Sequence, residues 1–329
     1  MTSVDSTATP QDYLRSLSRW HPIEIVFWLA TLVPFFLFPD YLSLASQIAI
    51  AALFALSLDI ILGYGGIVSL GHAAFFGIGA YAAAIFSKFV MGEPVIGLFA
   101  AALVAGIAGF ASSFIIARFR HFTLIMITLG LGLLMQEIAN RAHWLTGGSD
   151  GFQGIDIRPV LGIFRFDLYG YTAYGYALAT LFVLFLATRR LVNSPFGLAL
   201  RGIRERLVRM PAIGAAPRAH IQKAYTIAAV MAGIAGALLA QTTQTAALES
   251  ISFQRSADVV VMLVLGGAGR LYGGLIGAVI FMIARDQFSG IAPQFWYFWI
   301  GLLLITVVML LPNGILGGLS DIYARWRRK

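Results

Sequence analysis

Apolar runs of membrane-spanning length recur along this chain, and they decide what it can fold into. Residues 95–117, VIGLFAAALVAGIAGFASSFIIA, carry no charge, and LATLFVLFLAT at 178–188 is apolar on every face. A bilayer core of about 30 Å takes roughly 20 such residues as a helix. Lipid offers no water to unpaired backbone groups, so only helices and closed barrels cross it. A barrel strand would alternate polar and apolar residues, and these runs do not. The chain therefore reads as an all-α, polytopic membrane protein. Composition agrees, with 59% hydrophobic and 12% charged residues, far from a soluble balance. Its 35 glycines suit closely packed membrane helices.

Membrane segments are expected near 23–38, 41–62, 67–87, 94–117, 122–139, 171–188, 223–243, 257–267, 272–284 and 294–311. That makes about ten helices that span or partly span the bilayer. Positive residues in short connections orient them toward the cytoplasm. Arg118 and Arg120, the 189–222 loop, and Arg325, Arg327, Arg328 and Lys329 then lie inside, with both termini cytoplasmic and the 140–170 loop periplasmic. The expected organisation is a cytoplasmic tail over 1–22, a transmembrane domain over 23–320 and a basic cytoplasmic tail over 321–329. No cleavage signature marks the N-terminal tail, which is expected to stay attached and partly disordered. Residues 257–267 and 272–284 look short for full crossings, and a re-entrant pair with Arg270 at its tip is one reading. The glycine-rich stretches 63–81 and 265–278 each follow an apolar run, a shared pattern of the kind an internal repeat leaves.

Charge is concentrated in one place. Between Arg189 and Lys223 the positive residues are Arg189, Arg190, Arg201, Arg204, Arg206, Arg209, Arg218 and Lys223, with Glu205 the only acid, so this segment carries nearly all of the chain's formal +8. The high basicity thus describes one surface and not a nucleic-acid-binding protein. Wound as a helix, Leu200, Ile203, Leu207 and Met210 share one side, and Arg201, Arg204, Glu205 and Arg209 the other. Pro195 and Gly197 mark its start, and Pro211, Gly214 and Pro217 its end. Glu205 precedes Arg209 by the spacing of a favourable ion pair. Such a helix suits either docking onto an ATPase subunit or lying on anionic headgroups.

Ionisable groups inside apolar segments cost about 2.5–3.5 kcal/mol on insertion scales and so point to function. Asp59, His72, Glu137 and Asp258 qualify, although Asp59 and Asp258 sit near segment ends, within reach of the interface. Ser69, Gly71, His72, Gly77 and Glu137 are candidates for helix packing or a translocation path. Thr146, Gly147, Gly148, Ser149 and Asp150 form a turn-rich outer segment fit for a gate, a docking edge or an ordinary loop.

Catalytic and metal signatures are missing. The chain has no cysteine, and its histidines at 21, 72, 121, 143 and 220 show no ligand spacing. Lys88, Lys223 and Lys329 follow Ser, Gln and Arg, so there is no G-K-[ST] phosphate loop and any ATP must be hydrolysed elsewhere. The aromatic run QFWYFWIGLLL at 294–304 reads as an interfacial belt. No catalytic residue, metal ligand or cofactor is expected in this chain.

LGYGGIVSLGHAAFFGIGAY (62–81), LTGGSDGF (145–152), SPFGLALRGIRE (194–205) and VVVMLVLGGAGRLYGGLIGA (259–278) resemble the LivM-type permease of branched-chain amino acid ABC importers. The resemblance covers nearly the whole chain after about residue 40 and keeps the family's order. It implies a permease subunit in a bacterial inner (cytoplasmic) membrane, paired with a second, LivH-type permease. It also implies a periplasmic substrate-binding protein and two ATP-binding subunits that hold the ATP and Mg. Gly197, Leu200, Arg201, Ile203, Arg204, Glu205, Leu207, Arg209 and Gly214 would then form the segment coupled to the ATPase. Ile67 stands where Gln is common, and 206–211 replaces a stretch often rich in Glu and Ala. Urea, short amides and small carboxylates therefore remain open as cargo, and a self-contained secondary transporter remains the alternative class.

Overall fold

Pro94, Pro195 and Pro217 each open a helix, where a missing backbone N–H goes unnoticed. The computed structural model describes residues 22–119, 121–155, 157–167 and 169–318, excluding the side chain of His121. Residues 1–21 and 319–329, which hold the expected tails with Arg325, Arg327, Arg328 and Lys329, lie outside the described residues, as do Arg120 and Asp156. The first half contains α1 (Pro22–Ala30), α2 (Val33–Leu37), α3 (Leu42–Asp59), α4 (Ala73–Phe89), α5 (Pro94–Ile116), α6 (His121–Arg141) and the short α7 (His143–Thr146). The second contains α8 (Tyr171–Val192), α9 (Pro195–Arg206), α10 (Pro217–Thr243), α11 (Phe253–Gly266), α12 (Gly273–Ile291) and α13 (Trp296–Leu310). Among the described residues, 7 helical stretches are long and apolar enough to cross a bilayer, and Pro22–Leu37 and Ala73–Phe89 are shorter apolar helices. Extended pairing among these residues amounts to the bridges Phe152↔Ala246 and Val160↔Phe164. The protein is a multi-pass, all-helical membrane protein.

Several expected segments change shape for local reasons. The 23–38 segment breaks between α1 and α2, because Pro34 has no N–H to give the carbonyl of Ala30. The 67–87 segment begins only at Ala73. Before it, α3 widens into a π-helical turn, Ile60–Tyr64, and the chain leaves the helix at Gly65 and Gly66, the latter at φ +69°. The 272–284 segment runs on to Ile291, because Arg285, Asp286 and Gln287 continue the helix despite their polarity. At 1.5 Å per residue, α12 reaches about 28 Å and α11 only about 21 Å. One long and one short helix, and not two short ones, thus meet at the 267–272 turn.

Small residues set the centre of the bundle. The 39–64 stretch and α10 are mostly buried, whereas 122–141 and 296–318 are mostly exposed and line the outside. α4, α5 and α10 meet through glycine: Gly79 faces the backbone of Gly233, Gly233 faces Ala105, and Gly236 lies against the carbonyl of Phe76. A β-carbon at Gly236 would run into that carbonyl oxygen. Close backbone approach of this kind is how membrane helices gain packing energy where lipid is as apolar as leucine. Tyr225, Phe75, Phe185 and Phe281 fill the larger spaces.

The contacts define two ends. At the basic end, Arg189 near the end of α8 pairs with Glu24 of α1 at 2.6 Å, and the turn at Gly267 meets the backbone of Asn313 and Gly314. At the opposite end, Phe152 pairs with Ala246, Lys88 lies 4.6 Å over the Phe152 ring, and the amide of Arg158 donates to Gly92.

Candidate functional site

The basic end is organised around the place where α3 stops. The π-helical turn and the Gly65–Gly66 break leave the carbonyl of Gly63 without an intrahelical partner, and the guanidinium of Arg204 on α9 donates to it. One turn earlier on α9, Arg201 lies 5.0 Å over the ring of Tyr64. Asp59 is fully buried, and its Oδ1 accepts from the amide of Gly269 at 2.7 Å, in the turn between α11 and α12. Three parts of the chain are therefore tied at one joint: the end of α3, the α11–α12 turn and α9.

The fold of α9 follows from its small and apolar residues. Leu200 and Ile203 are buried, and Gly197 lies against the carbonyl of Val192. Leu207 is half-buried, and Met210, buried, sits under Gly202. Gly214 ends the segment at φ +83°, a conformation that favours glycine. Glu205, Arg206, Val208, Arg209 and Ile213 point outward, with Val208 86% and Ile213 75% exposed.

Three expectations for this segment change. Arg201 is half-buried over Tyr64 and leaves the outer face, and Arg204, exposed beside Glu205, turns its guanidinium back to the Gly63 carbonyl, because the open helix end of α3 needs a donor. Glu205 and Arg209 form no ion pair with each other, because Arg206 (φ −148°, ψ 69°) breaks the helix and Leu207–Ile213 continues as 3₁₀. Pro217 does not stop the segment but opens α10.

A buried polar strip runs from this joint into the bundle. His72, fully buried, stands with Nε2 2.9 Å from Ser57 Oγ and stacks on Phe54 at 5.5 Å. The Ser57 hydroxyl also lies 2.7 Å from the carbonyl of Phe54, so one serine joins the ring to the backbone of α3. Leu70 donates to Thr128 Oγ1 of α6 at 3.2 Å, and Ala73 donates to Ser256 Oγ of α11 at 2.9 Å. Ser69 is fully buried, Gly71 lies against the backbone of Thr128 and Gly132, and Gly77 lies against Ile251. Asp258 is likewise buried and does not reach the surface. The structure brings Ser69, Gly71 and His72 together but leaves Glu137 out: its exposed carboxylate pairs with Arg141 at 2.5 Å.

At the opposite end, Thr146 is buried, donates to the carbonyls of Ala139 and Ala142, and accepts from the amide of Gly148. Gly147 and Gly148 turn the chain at φ +76° and +62°, and Ser149 and Asp150 are exposed. The turn holds itself, and only its last two residues are offered outward. Sequence reasoning passed over Ser57, Thr128 and Ser256, residue types too common to stand out without their partners, and marked Gly63 and Gly269 only as members of glycine-rich stretches.

Residues 41–310, most of the chain, match the family described as branched-chain amino acid transport system / permease component. The chain belongs to that family. The permease is 27% identical over 314 residues to the high-affinity branched-chain amino acid transport system permease protein LivM of Escherichia coli, covering 88% of this chain and 72% of that one. It is 26% identical over 340 residues to the LivM protein of Salmonella typhimurium, covering 95% and 80%. A probable LivM permease of Methanocaldococcus jannaschii is 25% identical over 311 residues, covering 80% and 89%. No solved structure matches the permease.

Proposed function

We propose that this permease is the membrane subunit of an ATP-driven importer for branched-chain or related amino acids, coupled to separate ATPase subunits through α9. The observation that carries the reading is the double attachment of α9. Its inner side is fixed to the end of α3 by Arg204, and the 3₁₀ segment that follows it, Leu207–Ile213, offers Val208 and Ile213 among Arg206, Arg209 and Glu205. An exposed apolar pair ringed by charge has the anatomy of a protein contact, with a desolvated centre and a polar rim. A push on α9 reaches Gly63 directly and Gly269 through Asp59, and from there the α11–α12 turn.

In this reading the basic end is cytoplasmic, both termini lie on that side, and the membrane is the bacterial inner membrane. The partners are two ATP-binding subunits that hold ATP and Mg, a second LivH-type permease and a periplasmic substrate-binding protein. The permease itself takes no cofactor, no metal and no nucleic acid. The names of the curated relatives support branched-chain amino acids as cargo. Urea, short amides and small carboxylates are the alternatives.

The test is purification from the native membrane. ATP-binding subunits should copurify with the parent chain and be lost with Val208→Asp or Ile213→Asp. Uptake by the lone chain in liposomes, driven only by an ion gradient, would overturn the reading in favour of a secondary transporter.

A further inference from the structure

Toward the end opposite α9 the bundle encloses a cavity of about 90 Å³, bounded by α3, α4, α10, α11 and α12. A water needs roughly 10–15 Å³ in this measure, so the space suits roughly six to nine heavy atoms, the size of a small aliphatic amino acid. Its walls are of two kinds. Phe54, Phe76, Met262 and Met282 form an apolar side, and Arg255 and Arg285 supply two guanidinium groups.

Both arginines are half-buried, and neither has a close carboxylate partner. Arg255 lies 5.9 Å over the Phe76 ring and meets Glu249 only at 3.8 Å, and the Glu249 side chain is 73% exposed. Arg285 lies 5.3 Å over the Trp296 ring and makes no ion pair among the described residues. Two like charges converging on one small cavity within a membrane are costly unless an anion joins them. Acids flank the pair without cancelling it: Asp258, one turn along α11, takes its hydrogen bond from Gln254 at 3.1 Å.

We propose that this cavity is a resting site for a zwitterionic aliphatic α-amino acid in transit. Its carboxylate lies between Arg255 and Arg285, its ammonium lies on the side of Asp258, next to the lining residue Val259, and its side chain lies against the phenylalanine and methionine wall. The proposal rests on the transport reading above and narrows its cargo. Urea and amides carry no charge and would leave both guanidiniums unpaired. A dicarboxylate would set its second anion against the apolar wall or toward Asp258. The short α11 also ties the site to the strip that leads to the basic end, since Ser256, next to Arg255, holds the first amide of α4.

The experiment uses the complete importer in proteoliposomes, with uptake of leucine or valine as the first readout. Arg285→Gln and Arg255→Gln should each lower uptake at least about tenfold, and the lysine variants should recover part of the loss. Copurification of the ATP-binding subunits shows that each variant assembles. The second readout needs no arginine variant. The chain has no cysteine, so Ala51→Cys places a single thiol on the cavity wall. Its modification by a small thiol reagent should slow at least about threefold in saturating leucine and not in leucinamide or urea. Parent-like uptake in both glutamine variants, or labelling indifferent to leucine, would overturn the site while leaving the importer intact. An importer that moves no amino acid with the parent chain would overturn the transport reading and the site together.

Discussion

Ser57 Oγ stands 2.9 Å from His72 Nε2, and this one bond joins the last turn of α3 to the start of α4 across the break that separates them. Both residues are fully buried. Ser57→Ala leaves the buried Nε2 of His72 without its hydrogen-bond partner, at a cost of about 1–3 kcal/mol. Thermal unfolding of the detergent-solubilised chain should fall accordingly. The double variant Ser57→Ala with His72→Phe should lose less than the two single losses combined, because no ring nitrogen is then stranded. Strict additivity would show that the pair is not coupled.

Arg204 and Val208 separate binding from coupling. Arg204→Ala removes the donor to the Gly63 carbonyl and keeps the outward face of Val208 and Ile213. ATP-binding subunits should still copurify, while uptake per ATP hydrolysed falls by about tenfold, the scale of a lost charged hydrogen bond. Val208→Asp should instead abolish copurification. Loss of copurification in Arg204→Ala would place that arginine on the docking face.

The sequence made the apolar runs at 94–117 and 171–188 legible because they have no competing signal: long, uncharged and free of internal proline; 122–139 carries one charge, Glu137, close to its end. The breaks were harder. Nothing in IILGYGG announces a π-helical turn, and a helical wheel sends every arginine to water, so the use of Arg201 and Arg204 as inward anchors was hidden. That use depends on the open carbonyl at Gly63, which exists only once α3 has ended there. His72 and Asp59 stood out as ionisable residues in apolar runs, but their partners Ser57 and Gly269 did not. Arg255 and Arg285 were missed for a geometric reason: each falls just beyond an expected segment end, at 257 and 284, where a charge looks interfacial. Continuation of α12 to Ile291 and the start of α11 at Phe253 carry both into the bundle.

Gly236 and Gly130 make a paired test of the packing. A β-carbon at Gly236 meets the Phe76 carbonyl, and one at Gly130 meets nothing within 4 Å. Gly236→Val should destabilise the chain by about 1–3 kcal/mol, the usual range for overpacking. Gly130→Ala should be neutral or slightly stabilising, since it also restricts the unfolded chain. Thermal melts of the two variants beside the parent decide it.

Asp167 gives the structure an acid-sensitive helix start. Its Oδ2 accepts from the amide of Tyr171 at 3.1 Å and its Oδ1 from that of Thr172 at 2.9 Å, capping α8. Burial alone would raise this carboxyl, but the Thr172 and Tyr171 amides outweigh it and hold the group below its ordinary value of 3.8. A carboxylate with a depressed folded value stabilises the fold above its unfolded value, and that contribution disappears as pH falls through the folded one. Hydrogen exchange at Tyr171 and Thr172, corrected for intrinsic rate, should therefore stay protected from pH 7 to 5 and weaken only below about pH 4. Asp167→Ala should exchange faster between pH 5 and 7, by the about 1 kcal/mol typical of a removed cap, and the difference from the parent should shrink below about pH 4. Protection that declines already between pH 7 and 5 would assign the helix start to some other group.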